Sequence, residues 1–376
     1  MKHFPIGVAL LFLFLTACSG GGGGTTTGVI PQSVTPSSGM GNEAQPLVEA
    51  QSDAVQQPQP QYTPSTNDLL YVGNAGNNTI TVYHHDAQAA AAPIRVIAGA
   101  NTGITAPGQL SEDAQGNLYV VNLPKEILVF AKGANGNVKP LRTLNVNLPP
   151  PAAPGLLDRI SAMTVDQRTG KIYVAGTTGP VGESSTLYRF PPNASGNTPP
   201  FASGTINYWP TQLANDSTGN NLIYDNGPVC CAAATFGVQT VVKQFYQGTS
   251  PASLYSVEAL ESSGIADDPT TKTYLVTSNI GILRLAENTV GNGPMNGYPL
   301  SLTPRLISTI TSDTCGGQLG LGYLRNIYVI HEKLAGCSSD AVYVYTHDSS
   351  GNVSPLHVLS GSATKLDQPE GIYEGQ

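Results

Sequence analysis

The chain has 376 residues and a formal net charge of −8 at pH 7, and only 11% of its residues are charged. An average soluble domain carries about 25% charged residues, so hydroxyl, amide and backbone groups must form much of the hydrogen bonding between this surface and water. The sequence contains no cluster of Lys or Arg. Because nucleic-acid affinity depends mainly on neutralising phosphates, we expect no nucleic-acid partner.

The first predicted element is a short apolar segment at the N-terminus. Lys2 and His3 precede the apolar run Phe4–Leu15, which is short for a membrane span but suits a signal peptide. The run ends in "LTACSG", and this stretch resembles the lipobox of bacterial lipoproteins. The resemblance implies that residues 1–17 are a lipoprotein signal peptide and that Cys18 is lipidated. The alternative is an ordinary signal peptide that leaves Cys18 unmodified.

Several acyl chains on Cys18 would anchor the protein firmly, since a single chain binds a membrane only marginally. Ser19 follows the cysteine, and by the same resemblance a residue other than Asp there favours the outer membrane. We expect a lipid-anchored protein of the cell envelope, at the outer membrane, on its periplasmic side or at the cell surface. Residues 18–66 start at the lipidated cysteine and are rich in Gly, Thr, Ser, Pro and Gln. They are predicted to be a disordered tether, because they cannot bury enough apolar surface to fold.

From residue 67 onward the sequence repeats one unit about every fifty residues, which indicates a repeat architecture. Each unit has a Leu/Ile-Tyr-Val type of strand, preceded by a Pro-x-x-Leu/Ile-x-x-Asp strand and a Gly/Asn turn. A further apolar strand, a Gly/Asn/Pro loop and a short Pro-x-Arg strand follow. Four short strands per unit predict a β-propeller with one unit per blade. The landmark tyrosines are Tyr71, Tyr119, Tyr173, Tyr224, Tyr274 and Tyr328.

The loop and outer strand recur closely, as "GNVKPLRTL" at residues 136–144 and "GNVSPLHVL" at residues 351–359. The units resemble the blades of six-bladed propellers of the NHL-repeat type, and the resemblance covers residues 67–376. Unit four departs through its "GPVCCAAATFG" insertion, and unit six lacks the Asp. We predict an all-β fold, a six-bladed β-propeller of four-stranded blades. Residues 369–374, an innermost strand with no unit after it, should complete the first blade beside Leu69–Gly73.

Four cysteines besides Cys18 form an even set in a chain predicted to be exported, which suggests disulfides. Cys315 lies in the loop that enters unit six, and Cys337 lies between the second and third strands of that unit. Both loops should emerge on the same face of one blade, so Cys315–Cys337 is the preferred pair. Cys230 and Cys231 would then form a strained vicinal bridge or remain reduced.

Two sets of polar residues resemble metal or catalytic groups, but we assign both to turns. His84-His85-Asp86 aligns with a turn in unit six that contains His347-Asp348, on a different blade. Zinc sites normally need three or four converging ligands, which this arrangement does not provide. A set of recurring aspartates instead closes innermost strands just before Gly/Asn turns: Asp113, Asp166, Asp216 and Asp268.

The residues at the channel end of the innermost strands indicate whether the propeller could be an enzyme. Six-bladed lactonase-like propellers place metal-binding acids and amides around this channel. A hard divalent cation needs six to eight oxygens, usually from several carboxylates. One aligned position holds only one carboxylate, in the set Gly108, Ser161, Thr211, Ser263, Gly317 and Glu370. We therefore predict no catalytic residue, metal or cofactor. Weaker candidates for a ligand-facing surface, which more simply cap strand ends, are Asn74, Asn122, Asn226, Asn279 and, from the channel, Glu370.

These features favour a lipid-anchored binding module, with a protein or a glycan as its ligand and the membrane as a partner through the N-terminal lipid. The first alternative is a hydrolase or lactonase that uses the central channel. A passive surface scaffold is the second.

Overall fold

The computed structural model describes residues 68–149, 158–177, 185–206, 210–215, 221–225, 238–242, 264–268, 270–278, 281–286, 306–313, 315–322, 325–333 and 337–375. All of them belong to Gln56–Gln376, the second of two units into which the chain divides. Cys18, the predicted signal peptide and the predicted tether lie outside the described residues. Within the ranges given above, no helix is long and apolar enough to cross a membrane.

The described strands form six antiparallel sheets, which we number in chain order. Sheet 1 contains β1 (Leu69–Asn74), β2 (Thr79–His84), β3 (Arg95–Ile97) and the much later β23 (Pro369–Gly375). Sheet 2 contains β4 (Pro107–Glu112), β5 (Leu118–Asn122), β6 (Glu126–Phe130) and β7 (Arg142–Asn145). Sheet 3 contains β8 (Arg159–Val165), β9 (Ile172–Thr177), β10 (Ser185–Phe190) and β11 (Ala202–Ile206).

Sheet 4 contains three described strands, β12 (Leu213–Asn215), β13 (Asn221–Asp225) and β14 (Val238–Val242). Sheet 5 contains β15 (Gly264–Asp268), β16 (Thr273–Ser278), β17 (Gly281–Ala286) and β18 (Leu306–Ile310). Sheet 6 contains β19 (Leu319–Leu321), β20 (Ile327–His331), β21 (Ala341–Tyr345) and β22 (His357–Ser360).

The fold is an all-β propeller, and five of its sheets are four-stranded antiparallel blades. The prediction of four-stranded blades is therefore confirmed for sheets 1, 2, 3, 5 and 6. Sheet 4, which holds the insertion noted in the sequence, shows only three strands among the described residues. The innermost strand of each sheet contacts those of its two neighbours, in the cyclic order β23, β4, β8, β12, β15, β19 and back to β23.

The described Leu/Ile-Tyr-Val strands of sheets 2 and 3 are buried along their whole length, because each has a strand on both sides and neighbouring sheets over both faces. Every residue of β5 and of β9 is buried. Such strands read as continuous apolar runs rather than as an alternation of apolar and polar residues. The core lies in layers between adjacent sheets: Tyr71, Val82 and Phe130 belong to the layer between sheets 1 and 2.

The C-terminal strand occupies the position that the sequence predicts for it. β23 pairs antiparallel with β1, from Leu69 opposite Gly375 to Asn74 opposite Pro369. Gly371 is required on this strand, because a Cβ built on it would overlap the backbone carbonyl of Gly108 on β4. The side chain of any other residue would push β23 away from sheet 2.

Adjacent sheets are also joined at the outer rim by a backbone contact that explains the repeated "GN" stretch. The Gly136 N–H of sheet 2 donates to Val96 O of sheet 1 (2.7 Å), and Gly136 O accepts from Ala98 N (3.2 Å). Gly136 has φ 73°, a conformation that glycine adopts without steric cost. The equivalent residues of sheets 1, 3 and 6 make the same contact with the preceding outer strand. We call the described set the rim clasps: Ala89, Gly136, Gly196 and Gly351.

A disulfide joins Cys315 to Cys337, with their Cα atoms 5.7 Å apart. The preferred pairing is thus confirmed. It links the loop that enters sheet 6 to the loop between β20 and β21. Cys230 and Cys231 lie outside the described residues.

Candidate functional site

The turn after each innermost strand is organised by an aspartate where one is present. Asp113 Oδ1 accepts hydrogen bonds from the N–H groups of Gln115 (3.0 Å) and Asn117 (2.9 Å). Asp166 accepts from Arg168 N at 3.1 Å, and Asp268 accepts from Thr270 N at 3.2 Å. These three carboxylates serve hairpin geometry, as predicted, and the fourth member of the set, Asp216, lies outside the described residues. We call this end of the propeller the turn face and the opposite end, which carries the disulfide, the loop face.

Two sheets lack the turn aspartate, and a glutamate from the next sheet takes its place. A Cβ built on Gly322 of sheet 6 would overlap the carboxylate of Glu374 from sheet 1. A Cβ on Gly375 of sheet 1 would likewise overlap the carboxylate of Glu112 from sheet 2. The Glu112 carboxylate also acts on Tyr71 of sheet 1. Burial raises the pKa of Tyr71, the charge of Arg95 lowers it, and the charge of Glu112 adds to the increase. The sequence contained this signal, because Glu precedes the Asp position only in the two sheets that follow an Asp-free sheet.

A cavity of about 280 Å³ lies between the innermost strands on the turn face. We call it the channel cavity. Apolar residues of these strands form part of its wall, and polar groups are interspersed among them. Hydroxyl and amide side chains line it in several sheets, and acidic and basic side chains are both present. The polar lining includes Ser111, Thr164, Gln167, Arg168, Asn215, Asp267, Thr270, Arg325 and Glu374.

Two glutamine side chains lie across the channel at the inner end of this cavity. Gln109 Oε1 accepts from Met163 N of sheet 3 (2.8 Å) and from Leu213 N of sheet 4 (3.1 Å). Its Nε2 donates to Leu213 O (2.7 Å). Gln212 makes the same three bonds two sheets further round, with Ile265 of sheet 5 and Leu319 of sheet 6. The amides thereby satisfy inner-edge backbone groups that have no neighbouring strand.

The sequence analysis missed this role, although a two-unit period was visible. Sheets 2, 4 and 6 carry Gln109, Gln212 and Gln318 at one aligned position, and the other three sheets carry Gly or Ala there. Gln318 departs from the pattern, because its Nε2 donates to Thr211 O at 3.1 Å. Its Oε1 is buried and has no hydrogen-bond partner in the described part of the chain. Only the three-dimensional arrangement distinguishes this third glutamine from the other two.

The loop face carries a different set of charges, from the innermost strands and from the loop between β20 and β21. Burial raises the pKa of Glu370, and the charge of Arg159 partly offsets this effect. Burial also raises the pKa of Glu332 to about 7, and the carboxylates of Glu370 and Asp340 contribute to the increase. The predicted candidate Glu370 is therefore one of two carboxyl groups at this end that tend to retain a proton.

The asparagines proposed as a ligand-facing set serve the strands internally where they are described. Asn74 is fully buried; its Nδ2 donates to Thr81 Oγ1 (3.0 Å) and its Oδ1 accepts from Asp367 N (3.2 Å). Asn122 Oδ1 accepts from Thr105 N at 2.8 Å. Both amides are buried and hydrogen-bonded within the protein. Asn226 and Asn279 lie outside the described residues.

The histidine turns behave differently from one another. His347 of sheet 6 is buried, and its Nε2 lies 2.6 Å from Asp268 Oδ2 of sheet 5. Burial would raise the pKa of Asp268, but hydrogen bonds from Thr271 and His347 outweigh it and lower the pKa. In the His84-His85-Asp86 turn, the backbone carbonyl of His85 accepts a hydrogen bond from Tyr328 Oη at 2.9 Å. In the described ranges, no group of three or more His, Cys, Asp or Glu side chains could hold a metal ion.

Comparison with known proteins shows the fold and no more. No family model matches the chain, and no curated protein matches it. A chain in the crystal structure of a nidogen/laminin complex matches with TM-score 0.53 and 10% identity, over 82% of this chain and 99% of that chain. The Cps50 (Swd1) β-propeller domain of Myceliophteria thermophila matches with TM-score 0.47 and 10% identity, over 82% and 88%. A chain of a mitotic checkpoint complex matches with TM-score 0.45 and 13% identity, over 69% of each chain.

Proposed function

We propose that this chain is a lipid-anchored, six-bladed propeller of the NHL-repeat type that acts as a binding module in the cell envelope. Sheet 4 would be the sixth blade. The cyclic contacts among the six innermost strands support a count of six blades, because β12 of sheet 4 contacts both β8 and β15. Gln212 supports it too, since it holds in sheet 4 the position that Gln109 holds in sheet 2.

The anchor is proposed from the lipobox resemblance at Cys18, and the outer membrane from Ser19. Mass spectrometry of the mature protein should show an N-terminal Cys18 carrying acyl chains. A Cys18→Ser variant should leave the detergent phase on phase partitioning. Recovery of unmodified, water-soluble mature protein from wild-type cells would contradict the anchor.

The single observation that carries the binding proposal is the blind shape of the channel cavity. It opens on the turn face, and Gln109 and Gln212 close it at the inner end. Its volume of about 280 Å³ is just below the range of about 300–1,000 Å³ that holds whole small-molecule ligands. The cavity therefore suits one group projecting from a larger ligand, a protein or a glycan. The nidogen/laminin neighbour is part of a complex between proteins, which agrees with such a use of the fold.

Gly320 allows a direct test, because it lines the cavity and a Cβ added there meets no atom within 4 Å. Gly320→Trp should fill the cavity, whereas Gly320→Ala should leave it open. Immobilised full-length wild type and Gly320→Ala should retain the same envelope component, identified by mass spectrometry, and Gly320→Trp should lose it. Equal retention by all three would favour the passive scaffold. A lactone or ester hydrolysis activity abolished by Gly320→Trp would favour the hydrolase.

A further inference from the structure

A second cavity, of about 480 Å³, lies between sheets 2 and 3 on the turn face. We call it the interblade groove. The turns that follow Asp113 and Asp166 form two of its sides, and Pro192-Asn193 forms its outer end. It shares Gln167 and Arg168 with the channel cavity, so the two spaces adjoin. One extended ligand could therefore reach both.

Arg142 places a guanidinium in the wall of this groove. Its Cζ lies 5.3 Å from the centre of the Tyr119 ring, and its Nη2 donates to Tyr119 Oη and to Pro192 O (3.2 Å). Its Nε is buried and has no hydrogen-bond partner in the described structure.

The charge of Arg142 also has no direct counter-ion, since no described carboxylate forms an ion pair with it. Asp113, which also lines the groove, uses Oδ1 for the N–H groups of its own turn and Oδ2 for Asn117 Nδ2. It reaches Arg142 only indirectly, through the Tyr119 hydroxyl with which both side chains interact. A buried donor without a partner is costly, and an incoming carboxylate oxygen would satisfy the Nε–H of Arg142. A guanidinium matches the planar, two-oxygen geometry of a carboxylate.

We propose that the interblade groove binds the carboxylate of an acidic peptide segment at Arg142, while a neighbouring apolar side chain of the same peptide enters the channel cavity. This inference rests on the proposed binding function and names its ligand class. A peptide fits better than a glycan, because sugar rings stack on open aromatic faces. Of the tyrosines that line the two cavities, Tyr119 is buried beneath Arg142, and Tyr373 Oη accepts a hydrogen bond from Gln167 at 2.9 Å.

Arg95 provides a matched control on another sheet. It has the same position in sheet 1, its Cζ lies 5.8 Å from the centre of the Tyr71 ring, and its Nη2 donates to Tyr71 Oη at 3.2 Å. It lines neither the channel cavity nor the interblade groove. Arg95→Lys and Arg142→Lys therefore both disturb a contact between a guanidinium and a tyrosine, and only the second alters the proposed site.

The test titrates the full-length protein with acetyl-Leu-Gly-Asp-amide, its Asn analogue and glucuronate, and follows the side-chain Nε–H resonance of Arg142 by NMR. The Asp peptide should shift this resonance saturably, and the other two probes should bind at least ten-fold more weakly. Arg142→Lys should weaken binding of the Asp peptide at least ten-fold, measured calorimetrically, while Arg95→Lys leaves it unchanged.

The inference fails if the Asp peptide gives no saturable shift, if the Asn analogue binds equally, if glucuronate binds better, or if Arg95→Lys weakens binding as much. Should Arg142→Lys lower the melting temperature too far for comparison, the three probes on wild type decide alone. Loss of an envelope component with Gly320→Trp, together with no binding of the Asp peptide, would preserve the binding module and reject only the carboxylate site.

Discussion

Replacing Gln109 by Met should destabilise the propeller, because Met has a similar length but cannot make the cross-channel bonds. The substitution removes three hydrogen bonds and leaves Met163 N, Leu213 N and Leu213 O without their partner. A net worth of about 0.5–1.5 kcal/mol per bond gives a loss of about 1.5–4.5 kcal/mol. Because water can enter the open turn face and satisfy part of this deficit, we expect a value near the middle of that range.

Gln318→Met is the matched control, since that side chain makes only the bond to Thr211 O among the described residues. Its expected cost is about 1 kcal/mol. Urea unfolding of the full-length protein, followed by circular dichroism with the disulfide intact, measures both variants. The m-value should stay constant while the midpoint moves. A Gln109→Met cost no larger than that of Gln318→Met would refute the cross-channel role.

Three further predictions concern other parts of the fold. Gly136→Ala should destabilise the protein by about 0.5–1 kcal/mol, because a left-handed φ costs a non-glycine residue about 1–2 kcal/mol and the stiffer unfolded chain offsets part of that cost. Ala89 has φ 51° in the equivalent clasp, so Ala89→Gly should change the melting temperature in the opposite direction. A shift of the same sign would contradict the account. The raised pKa of Glu332, about 7, means that its stabilising contribution is complete below its unfolded value near 4.5 and is lost as pH rises through 7. At about 1.4 kcal/mol per pKa unit this is at most about 3.5 kcal/mol, and solvent screening of the half-exposed carboxyl makes it smaller. Unfolding free energies at pH 5 and pH 8 should therefore differ less in Glu332→Gln than in wild type, and identical pH dependence would disprove the assignment. Deleting residues 369–376 removes β23 from sheet 1, so size-exclusion chromatography and circular dichroism should show loss of cooperative folding; a melting temperature within a few degrees of wild type would mean that β23 is dispensable.

The strands and the end-to-end pairing could be predicted because they depend on local patterns. The Tyr119 and Tyr173 strands are apolar runs flanked by turn residues, and the Pro369–Gly375 stretch matches the openings of the other units. Cys315 and Cys337 could be paired because the strand order alone brings their loops to one face. The number of strands in sheet 4 could not be read as reliably, because its insertion separates the landmarks.

The cross-sheet contacts were beyond the sequence because each joins residues of different units. The Glu374 carboxylate fills the space beside Gly322, where other sheets have an aspartate. This replacement can be recognised only when sheets 6 and 1 are known to be neighbours. His347 was assigned to a turn, whereas its ring also contacts Asp268 of the preceding sheet. Within the sequence of one unit, a residue that hydrogen-bonds to its own turn looks the same as a residue that contacts the neighbouring sheet.

The pairing of β23 with β1 has a consequence for how the protein is made. Sheet 1 joins segments that are distant in the chain, as shown by the bond between Asn74 and Asp367, 293 positions apart. A nascent chain that has emerged only as far as β22 leaves β1 with one bare edge, and such an edge can recruit a foreign strand. We therefore expect maturation to depend on chaperones or on rapid synthesis until the final strand is available, and slow completion to lead to aggregation.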